Sequence, residues 1–340
     1  MGGHDLSAGG DVMDRVRRCA QDALRAHGCH PDTSVELLNV SENATFLVSD
    51  PAAGPSVLRV HRLGYHTEQE IASELAWMDA LRAEAGVRTP RVLPAADGCR
   101  VVTVPERGGA DPSTVRHCVR FEFLPGTEPG GDPALTNGYF AELGEITARM
   151  HRHAREWSRP AWFTRFPWDY AAAFGPEARW GRWQDGIGVG PSERQILARL
   201  DEVLEARLKA FGAGPERYGL VHADTRLANL LVHDGSVSVI DFDDSGFSWY
   251  LYDLGTSVSF FEHSPEVPAL VDSWLEGYRR AGQLSAEDQA EILTFIMFRR
   301  LLLVAWIGSH RAVDIAAELG AGYTQGSCDL AESYLSRQRS

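Results

Sequence analysis

Residues 220–247 read LVHADTRLANLLVHDGSVSVIDFDDSGF, and this stretch is the part of the chain that decides the fold. An Asp-Gly pair, Asp234–Gly235, separates two apolar runs, which is a strong signal for a β-hairpin with a two-residue turn. Pairing outward from that turn places Asn229 opposite Ile240, with Asp241 one step further on. The hairpin therefore predicts an amide oxygen and a carboxylate at one end, roughly 5–8 Å apart by cross-strand spacing.

These side chains favour one kind of chemistry. Asn229 and Asp241 supply hard oxygen ligands, which magnesium prefers together with phosphate oxygens and water. Asp224 lies five residues before Asn229, on the loop that enters the same end of the hairpin. A carboxylate there can accept or orient the proton of an attacking hydroxyl group. The stretch therefore predicts a phosphoryl-transfer centre.

Upstream of this stretch, the chain changes from helix to short β-rich segments. A first helix is predicted from about Asp11 to His27, and Thr67-x-x-Glu70 is a capping box that opens a helix to about Glu84. Between and after these helices, short apolar segments bounded by turn residues predict an antiparallel sheet. Its strands are expected at Val35–Val40, Ala44–Val48, Ser56–His61, near Val92, at Val101–Val104 and at Cys118–Phe123.

Downstream of Leu124–Pro125–Gly126 the pattern becomes mainly helical. That Pro-Gly pair is the expected boundary between an N-terminal lobe, residues 1–125, and a C-terminal lobe, residues 126–340. Strands followed by helices, with one hairpin between, predict an α+β fold with segregated lobes. The helices are expected near 132–153, 192–211, 266–281, 286–307 and 319–335.

Composition excludes several classes of protein. The net charge is 33 − 47 = −14, which argues against a nucleic-acid partner. Five widely spaced cysteines without a C-x-x-C pair indicate reduced thiols and a cytoplasmic protein. The start of the chain lacks the pattern of a signal peptide, and the apolar run Leu301–Gly308 is too short to span a bilayer. We therefore expect no membrane partner.

The motif H-x-D-x4-N followed by I-D-F resembles the catalytic and metal motifs of the aminoglycoside phosphotransferase family. That family is similar to protein kinases and includes type II homoserine kinases, choline kinases and bacterial stress-response kinases. The resemblance covers about Val35 to Leu335. It implies a protein-kinase-like bilobal fold, with a small antiparallel-sheet N-lobe that binds nucleotide and a larger, mainly helical C-lobe that carries catalysis and substrate binding.

The resemblance also implies roles for motif residues. Asp224 would be the catalytic base, Asn229 and Asp241 would hold Mg2+, and His222 would support the loop. Asp253, in Tyr-Asp-Leu-Gly, matches a family position that braces the catalytic loop.

The acidic run "DFDD" adds one open question to the metal motif. Asp243 either binds the metal, directly or through another of its ligands, or is a solvated carboxylate in a turn. The sequence leaves both interpretations open.

On the nucleotide side, Arg59 stands where the resembled family usually has lysine. Arginine keeps the charge but not the compact ammonium, so the phosphate contact departs from the family pattern. Glu74 on the following helix is the expected partner of Arg59. Glu70 is the other possible partner of Arg59, but its place in the capping box already accounts for that residue.

The remaining nucleotide contacts rest on position and resemblance. There is no G-x-G-x-x-G in the chain. Ser41 and Asn43, in the turn between the first two strands, take the place of that phosphate loop. The adenine is expected to hydrogen-bond to the backbone of Glu122, Phe123 and Leu124, although a plain hinge without ligand contact fits the same pattern.

The sequence says least about the acceptor. Its expected location is between the catalytic loop and the late helices. Candidate contacts are polar or aromatic side chains there, together with a Trp-rich insertion at 157–183: Glu262, His263, Arg299, Arg300, Trp306 and His310. An apolar face at helical spacing makes Trp306 a core residue by preference, and the two arginines fit a solvated or a salt-bridged face equally well.

We therefore expect an O-phosphotransferase that moves the γ-phosphate of ATP or GTP to a hydroxyl of a small molecule, of the antibiotic-kinase type, in a monomer or homodimer. Two enzyme alternatives are a stress-response-type Ser/Thr protein kinase and a homoserine- or choline-like metabolic kinase. A nucleotide-binding pseudokinase is the non-enzyme alternative, favoured only by Arg59.

Overall fold

The computed structural model describes residues 9–40, 43–109, 111–129, 133–311 and 313–337. These residues form two compact units. The first consists of the chain up to Asp79, Thr89–Leu124 and Pro160–Thr164; the second consists of Ala80–Arg88, Pro125–Arg159 and the chain from Arg165 on.

The first unit is built on a five-stranded antiparallel sheet, which confirms the expected α+β class and the sheet-rich N-terminal half. The strands lie in the order β1-β2-β3-β5-β4. The elements are α1 (Gly9–Ala26), β1 (Ser34–Val40), β2 (Ala44–Asp50), β3 (Gly54–Val60), α2 (Glu68–Glu84, which ends in the second unit), β4 (Val102–Pro105) and β5 (Val115–Glu122).

The prediction of a strand near Val92 is wrong. Val92 makes only a single antiparallel bridge to Phe121, because Pro90 and Pro94 lack the N–H donors that a longer ladder on either side would need. The capping box at Thr67 is confirmed, since its amide donates to the Glu70 carboxylate at 2.8 Å and Glu70 donates back at 3.2 Å.

The core of this unit lies between the sheet and α1. In β2 the side chains of Ala44, Phe46 and Val48 alternate with less buried neighbours, so one face of the strand points inward. The apolar face of α1 covers that face with buried residues at helical spacing: Val12, Val16, Cys19, Ala20 and Ala23.

The second unit contains helices and two short antiparallel ribbons. One ribbon, β7 with β8, is the predicted hairpin; the other, β6 with β9, was not predicted because no tight turn joins its two strands in sequence. The elements are α3 (Pro133–Glu156), α4 (Tyr170–Phe174), α5 (Pro191–Phe211), β6 (Tyr218–Val221), β7 (Leu230–His233), β8 (Ser236–Val239), β9 (Gly246–Trp249), α6 (Leu251–Ser257), α7 (Val267–Tyr278), α8 (Ala286–Ala290), α9 (Ile292–Ser309) and α10 (Asp314–Arg337).

The helix expected at 286–307 is two helices. Ser285 and Asp288 form a capping box that opens α8. The amide of Glu291 then bonds to Asp288 and Gln289 in a tightened last turn, and α9 starts one residue later. The ion pair of the Glu291 carboxylate with Arg207, at 2.5 Å, holds this junction.

Helix α9 is buried along most of its length. By length and composition alone it could cross a membrane, yet 83% of its 18-residue window is buried within the protein. Arg299 and Arg300 lie in its middle, and each is only 2% exposed. These features are typical of a central core helix.

Helices α3 and α7 pack closely because glycines face the contact. A Cβ at Gly144 would lie 2.0 Å from the Trp274 carbonyl oxygen, and one at Gly277 would lie 1.7 Å from the Ala141 oxygen. Only residues without a Cβ allow this approach. The contact fixes α3, which carries His151.

Candidate active site

The predicted hairpin is confirmed with its register. His233 pairs with Ser236 at the turn, and Leu230 pairs with Val239. Asp234 and Gly235 both have positive φ, +48° and +71°, as the tight primed turn requires. The Ile240 amide donates to the Asn229 carbonyl at 2.9 Å, so these two residues face each other as the sequence predicted.

Asp253 holds the start of the catalytic loop. Its buried carboxylate accepts the His222 amide at 3.2 Å and the Ala223 amide at 2.7 Å. It also accepts a hydrogen bond from His151 at 3.0 Å. Ala223 has a φ of +67°, a left-handed conformation that costs about 1–3 kcal/mol. Asp253 therefore stabilises a strained backbone immediately before Asp224.

His151 and Thr225 complete this support. Burial lowers the pKa of His151 despite its contact with Asp253. The Thr225 hydroxyl donates to the Asp253 carbonyl at 2.8 Å, and its amide donates to the Thr256 hydroxyl at 3.0 Å. The loop is thus bonded on both sides of Asp224 to helix α6.

The Asp224 carboxylate has three donors. Oδ1 accepts from Arg299 at 2.6 Å, whereas Oδ2 accepts from Asn229 at 2.7 Å and Arg226 at 3.2 Å. Burial alone would raise the pKa of Asp224, but the charges of Arg226 and Arg299 outweigh it and hold the pKa below its usual value. Asp224 is therefore ionised and weakly basic, which suits a group that orients a hydroxyl.

The proposed metal ligands have chemistry that fits magnesium. The Asn229 amide nitrogen donates to the Asp224 carbonyl and carboxylate, which turns its oxygen away from Asp224. Asp241 is exposed and has a φ of +60°, a strained conformation of the kind found at functional sites. These two oxygen ligands are hard donors. The described residues contain no group of three or more His, Cys, Asp or Glu side chains that could hold a metal, so a shared ion at Asn229 and Asp241 stays a prediction.

Asp243 is buried rather than solvated, being 5% exposed, which contradicts the interpretation as a solvated turn carboxylate. The segment is fixed through its backbone. Arg165 donates to the Asp243 and Ser245 carbonyls, and Trp168 donates to the Asp244 carbonyl at 2.7 Å. A metal role for Asp243 stays a prediction.

In the first unit, Arg59 and Glu74 form the expected ion pair. One terminal nitrogen of Arg59 donates to both Glu74 oxygens, at 2.6 and 2.8 Å. Both side chains are buried, 6% and 0% exposed, and the Arg59 guanidinium lies 5.2 Å from the centre of the Phe121 ring. The pair is built into the structure; its phosphate-binding role stays a prediction.

The other predicted nucleotide residues differ in their surroundings. Ser41 lies outside the described residues. The Asn43 side chain is buried and its oxygen accepts a hydrogen bond from the Arg62 amide at 3.1 Å. This bond holds the backbone just after the end of β3. The Glu122 side chain accepts the Arg91 amide at 2.9 Å.

Phe123 and Leu124 follow directly after β5. Within the part of the chain that the structure describes, no hydrogen bond is made by their backbone groups. Phe123 is 43% exposed. Backbone groups in this state can receive an adenine, as the hinge prediction requires.

The acceptor candidates fall into separate groups. Glu262 is buried and accepts from Arg300 at 2.5 Å and from the Tyr323 hydroxyl at 2.8 Å. Trp306 stacks on His310 at 5.0 Å between ring centres, and both are 7% exposed. His263 is exposed.

The solvated-face interpretation of the two arginines is wrong. Arg299 and Arg300 are buried because each has an acidic partner, Asp224 and Glu262 respectively. Sequence reasoning missed Arg226 altogether, although its position between Asp224 and Asn229 in the motif was a usable signal.

Comparison with known proteins identifies relatives over most of the chain. The family model described as APH, phosphotransferase enzyme family, matches residues 35–292. A solved microcompartment-associated aminopropanol kinase is 48% identical, with a TM-score of 0.85, covering 94% of this chain and 98% of that one. An amicoumacin kinase of Bacillus subtilis is 23% identical over 273 residues, 77% of this chain and 75% of that protein. An amicoumacin kinase solved with AMP-PNP and Ca2+ is 21% identical, with a TM-score of 0.76 and coverage of 94% and 95%.

Proposed function

This chain belongs to the phosphotransferase enzyme family, and from that premise we propose that its acceptor is the hydroxyl group of a small amino alcohol. The family acts on small-molecule hydroxyl groups, so the chain is a small-molecule phosphotransferase. The 48% identity to a small-molecule kinase speaks against the protein-kinase and pseudokinase alternatives. The amino-alcohol acceptor favours the alternative of a homoserine- or choline-like metabolic kinase over the expected antibiotic kinase.

The observation that carries this proposal is the 48% identity to the aminopropanol kinase over nearly the full length of both chains. The amicoumacin kinases are far more distant, at 21–23% identity. An amino alcohol is cationic at neutral pH, which is compatible with the acidic net charge of −14.

The residues of the second unit can perform the transfer. The Asp224 carboxylate accepts a hydrogen bond from the acceptor hydroxyl and orients its oxygen for in-line attack on the γ-phosphate of a nucleotide. As the new P–O bond forms and the bond to the leaving β-phosphate oxygen breaks, the hydroxyl proton is lost towards Asp224. The low pKa of Asp224 favours late proton transfer, in keeping with a loose transition state.

We propose ATP as the phosphate donor and Mg2+ as the metal. Asn229 and Asp241 would hold the metal, which when bound supplies positive charge against the phosphate oxygens. The bound AMP-PNP and Ca2+ of the solved amicoumacin kinase support an adenine nucleotide with a divalent cation. The Arg59–Glu74 pair would supply the second cation to the phosphates.

An acceptor panel tests the proposal. The purified protein is incubated with ATP and Mg2+ and with aminopropanol, ethanolamine, choline, homoserine, an aminoglycoside or amicoumacin, and mass spectrometry detects the gain of one phosphate. We expect aminopropanol or a close analogue to give the highest kcat/KM, and Asp224→Ala to abolish the product. Phosphorylation of the antibiotics with none of the amino alcohols would overturn the proposal.

A second candidate acceptor is an antibiotic that carries an amino group and a hydroxyl. The observation in its favour is the match to amicoumacin kinase over three quarters of both chains. Expression in a sensitive bacterium tests it: a rise in the inhibitory concentration that Asp224→Ala removes would favour this candidate, and no rise would exclude it.

A further inference from the structure

Arg299 is the one acceptor-side candidate that contacts the catalytic carboxylate. It lies in the middle of α9, 75 residues from Asp224 in sequence, and its Nη2 donates to Asp224 Oδ1 at 2.6 Å. Its side chain is only 2% exposed. The contact is therefore internal to the protein, unlike a surface ion pair, and is little screened by solvent.

The guanidinium of Arg299 is held in place by further contacts besides the one to Asp224. Its Nε donates to the Ser259 hydroxyl at 3.0 Å, and its Nη1 donates to the Tyr252 hydroxyl at 3.1 Å. The ring of Trp180 lies over it at 5.2 Å. Because all three guanidinium nitrogens have acceptors, these contacts fix the orientation of Arg299, with Nη2 directed at Asp224.

The three donors leave a defined position on Asp224. A carboxylate offers about four acceptor positions. Asn229 and Arg226 use the two on Oδ2, and Arg299 uses one on Oδ1. The remaining acceptor position therefore lies on Oδ1, the same oxygen that Arg299 holds.

We propose that Arg299 is a positioning residue for phosphoryl transfer, which orients Asp224 so that Oδ1 receives the acceptor hydroxyl. The inference rests on the proposed transfer chemistry but not on which small molecule is the acceptor. Arg299 acts through Asp224 and does not itself contact the reacting atoms.

The neighbouring Arg300 provides a matched control. It is on the same helix and is equally buried, at 2% exposed, and its Nε donates to the Ser327 hydroxyl at 2.7 Å. Its acidic partner is Glu262, not Asp224. Replacing either arginine removes one buried cation from α9, but only one replacement releases the catalytic carboxylate.

The experiment compares Arg299→Met with Arg300→Met, and Ser259→Ala with Ser327→Ala. For Arg299→Met we expect kcat to fall by about 10²-fold, the scale of a 1 Å misplacement of a catalytic group, with little change in the KM for ATP. The fall in kcat should be much larger than in Arg300→Met, because the partner of Arg300 is Glu262 and its loss leaves the contacts of Asp224 intact.

The conservative variants keep the test decisive when a methionine variant does not fold. Arg299→Lys should restore part of the kcat, since a lysine ammonium can still donate to the Asp224 carboxylate. Ser259→Ala keeps all charges and should lower kcat several-fold, whereas Ser327→Ala should not. Equal losses of kcat in Arg299→Met and Arg300→Met, or equal effects of the two serine variants, would overturn the proposal. If the wild type phosphorylates no amino alcohol, the same comparison of kcat is made on nucleotide hydrolysis without acceptor, so the failure of the acceptor assignment is distinguished from the failure of this inference.

Discussion

Replacing Asp253 by alanine should uncouple the catalytic loop from helix α6. The carboxylate is 0% exposed, and it accepts two backbone amides, from His222 and Ala223, which are themselves 0% and 1% exposed. A buried amide left without an acceptor costs about 1–3 kcal/mol. The two together predict a loss of about 2–6 kcal/mol in the free energy of unfolding.

The activity should fall for a second reason. Asp253 holds Ala223 at a φ of +67°, and without it the loop can relax towards ordinary backbone angles, which moves Asp224. A displacement of about 1 Å predicts a fall of about 10²-fold in kcat. Asp253→Asn should lower stability and kcat less than Asp253→Ala does, because its amide oxygen can still accept one of the two backbone N–H groups. Some loss should remain, since its NH2 group then faces the other backbone N–H.

The assay is urea denaturation followed by fluorescence, with kcat measured on the folded fraction. Asp201→Asn is the control: that carboxylate also accepts two buried donors, from Tyr170 at 2.8 Å and Trp183 at 2.9 Å, but it does not contact the loop. The control should lose stability and keep its kcat. A folded Asp253→Ala protein with wild-type kcat would refute the assignment of Asp253 as the brace of the loop.

Three further predictions follow from the contacts described above. Arg59→Met should raise the KM for ATP and destabilise the protein by about 3–5 kcal/mol, because it leaves Glu74 buried without its cation. Arg59→Lys should change the KM and the stability much less. Equal melting temperatures for the two variants would contradict this prediction. Burial lowers the pKa of His151 from 6.5, so the unfolded state binds the proton at a higher pH than the folded state does. The free energy of unfolding should therefore decline as pH falls below about 6.5, by at most about 1.4 kcal/mol per pH unit. Urea denaturation at a series of pH values should show a shallower decline in His151→Gln than in the wild type. Gly277→Ala should destabilise by about 1–3 kcal/mol or more, because its Cβ would lie 1.7 Å from the Ala141 oxygen; calorimetry of this variant, with Gly322→Ala as a control at an open position, checks it.

The parts of the site that sequence predicted are those fixed by local rules. The hairpin register follows from the Asp234–Gly235 turn alone, so the opposition of Asn229 and Ile240 needed no tertiary information. The capping box at Thr67 is equally local. The expected strand at Val92 is only a single bridge to Phe121, because the flanking Pro90 and Pro94 stop the pairing that the apolar segment begins.

The contacts that sequence could not supply join distant segments. His151 lies 102 residues from Asp253, and Arg299 lies 75 residues from Asp224. Nothing in the spacing of these residues marks them as partners, because α3, α6 and α9 meet only through tertiary packing. Arg299 and Arg300 show the limit clearly: adjacent arginines on one helix have different acidic partners, and only one of them reaches the catalytic loop.

His222 explains why the two motifs behave as one site. Its Nδ1 accepts the Asp224 amide at 3.2 Å, so its Nε2 carries the proton and donates to the Ile240 carbonyl at 3.1 Å. One imidazole therefore joins the residue that orients the hydroxyl to the residue before Asp241. The adjoining residues Ala223 and Asp241 are the strained ones, with φ of +67° and +60°, and an unsupported loop would release that strain. Since the bridge needs an unprotonated Nδ1, a neutral His222 is a requirement of the catalytic geometry, whichever acceptor the enzyme uses.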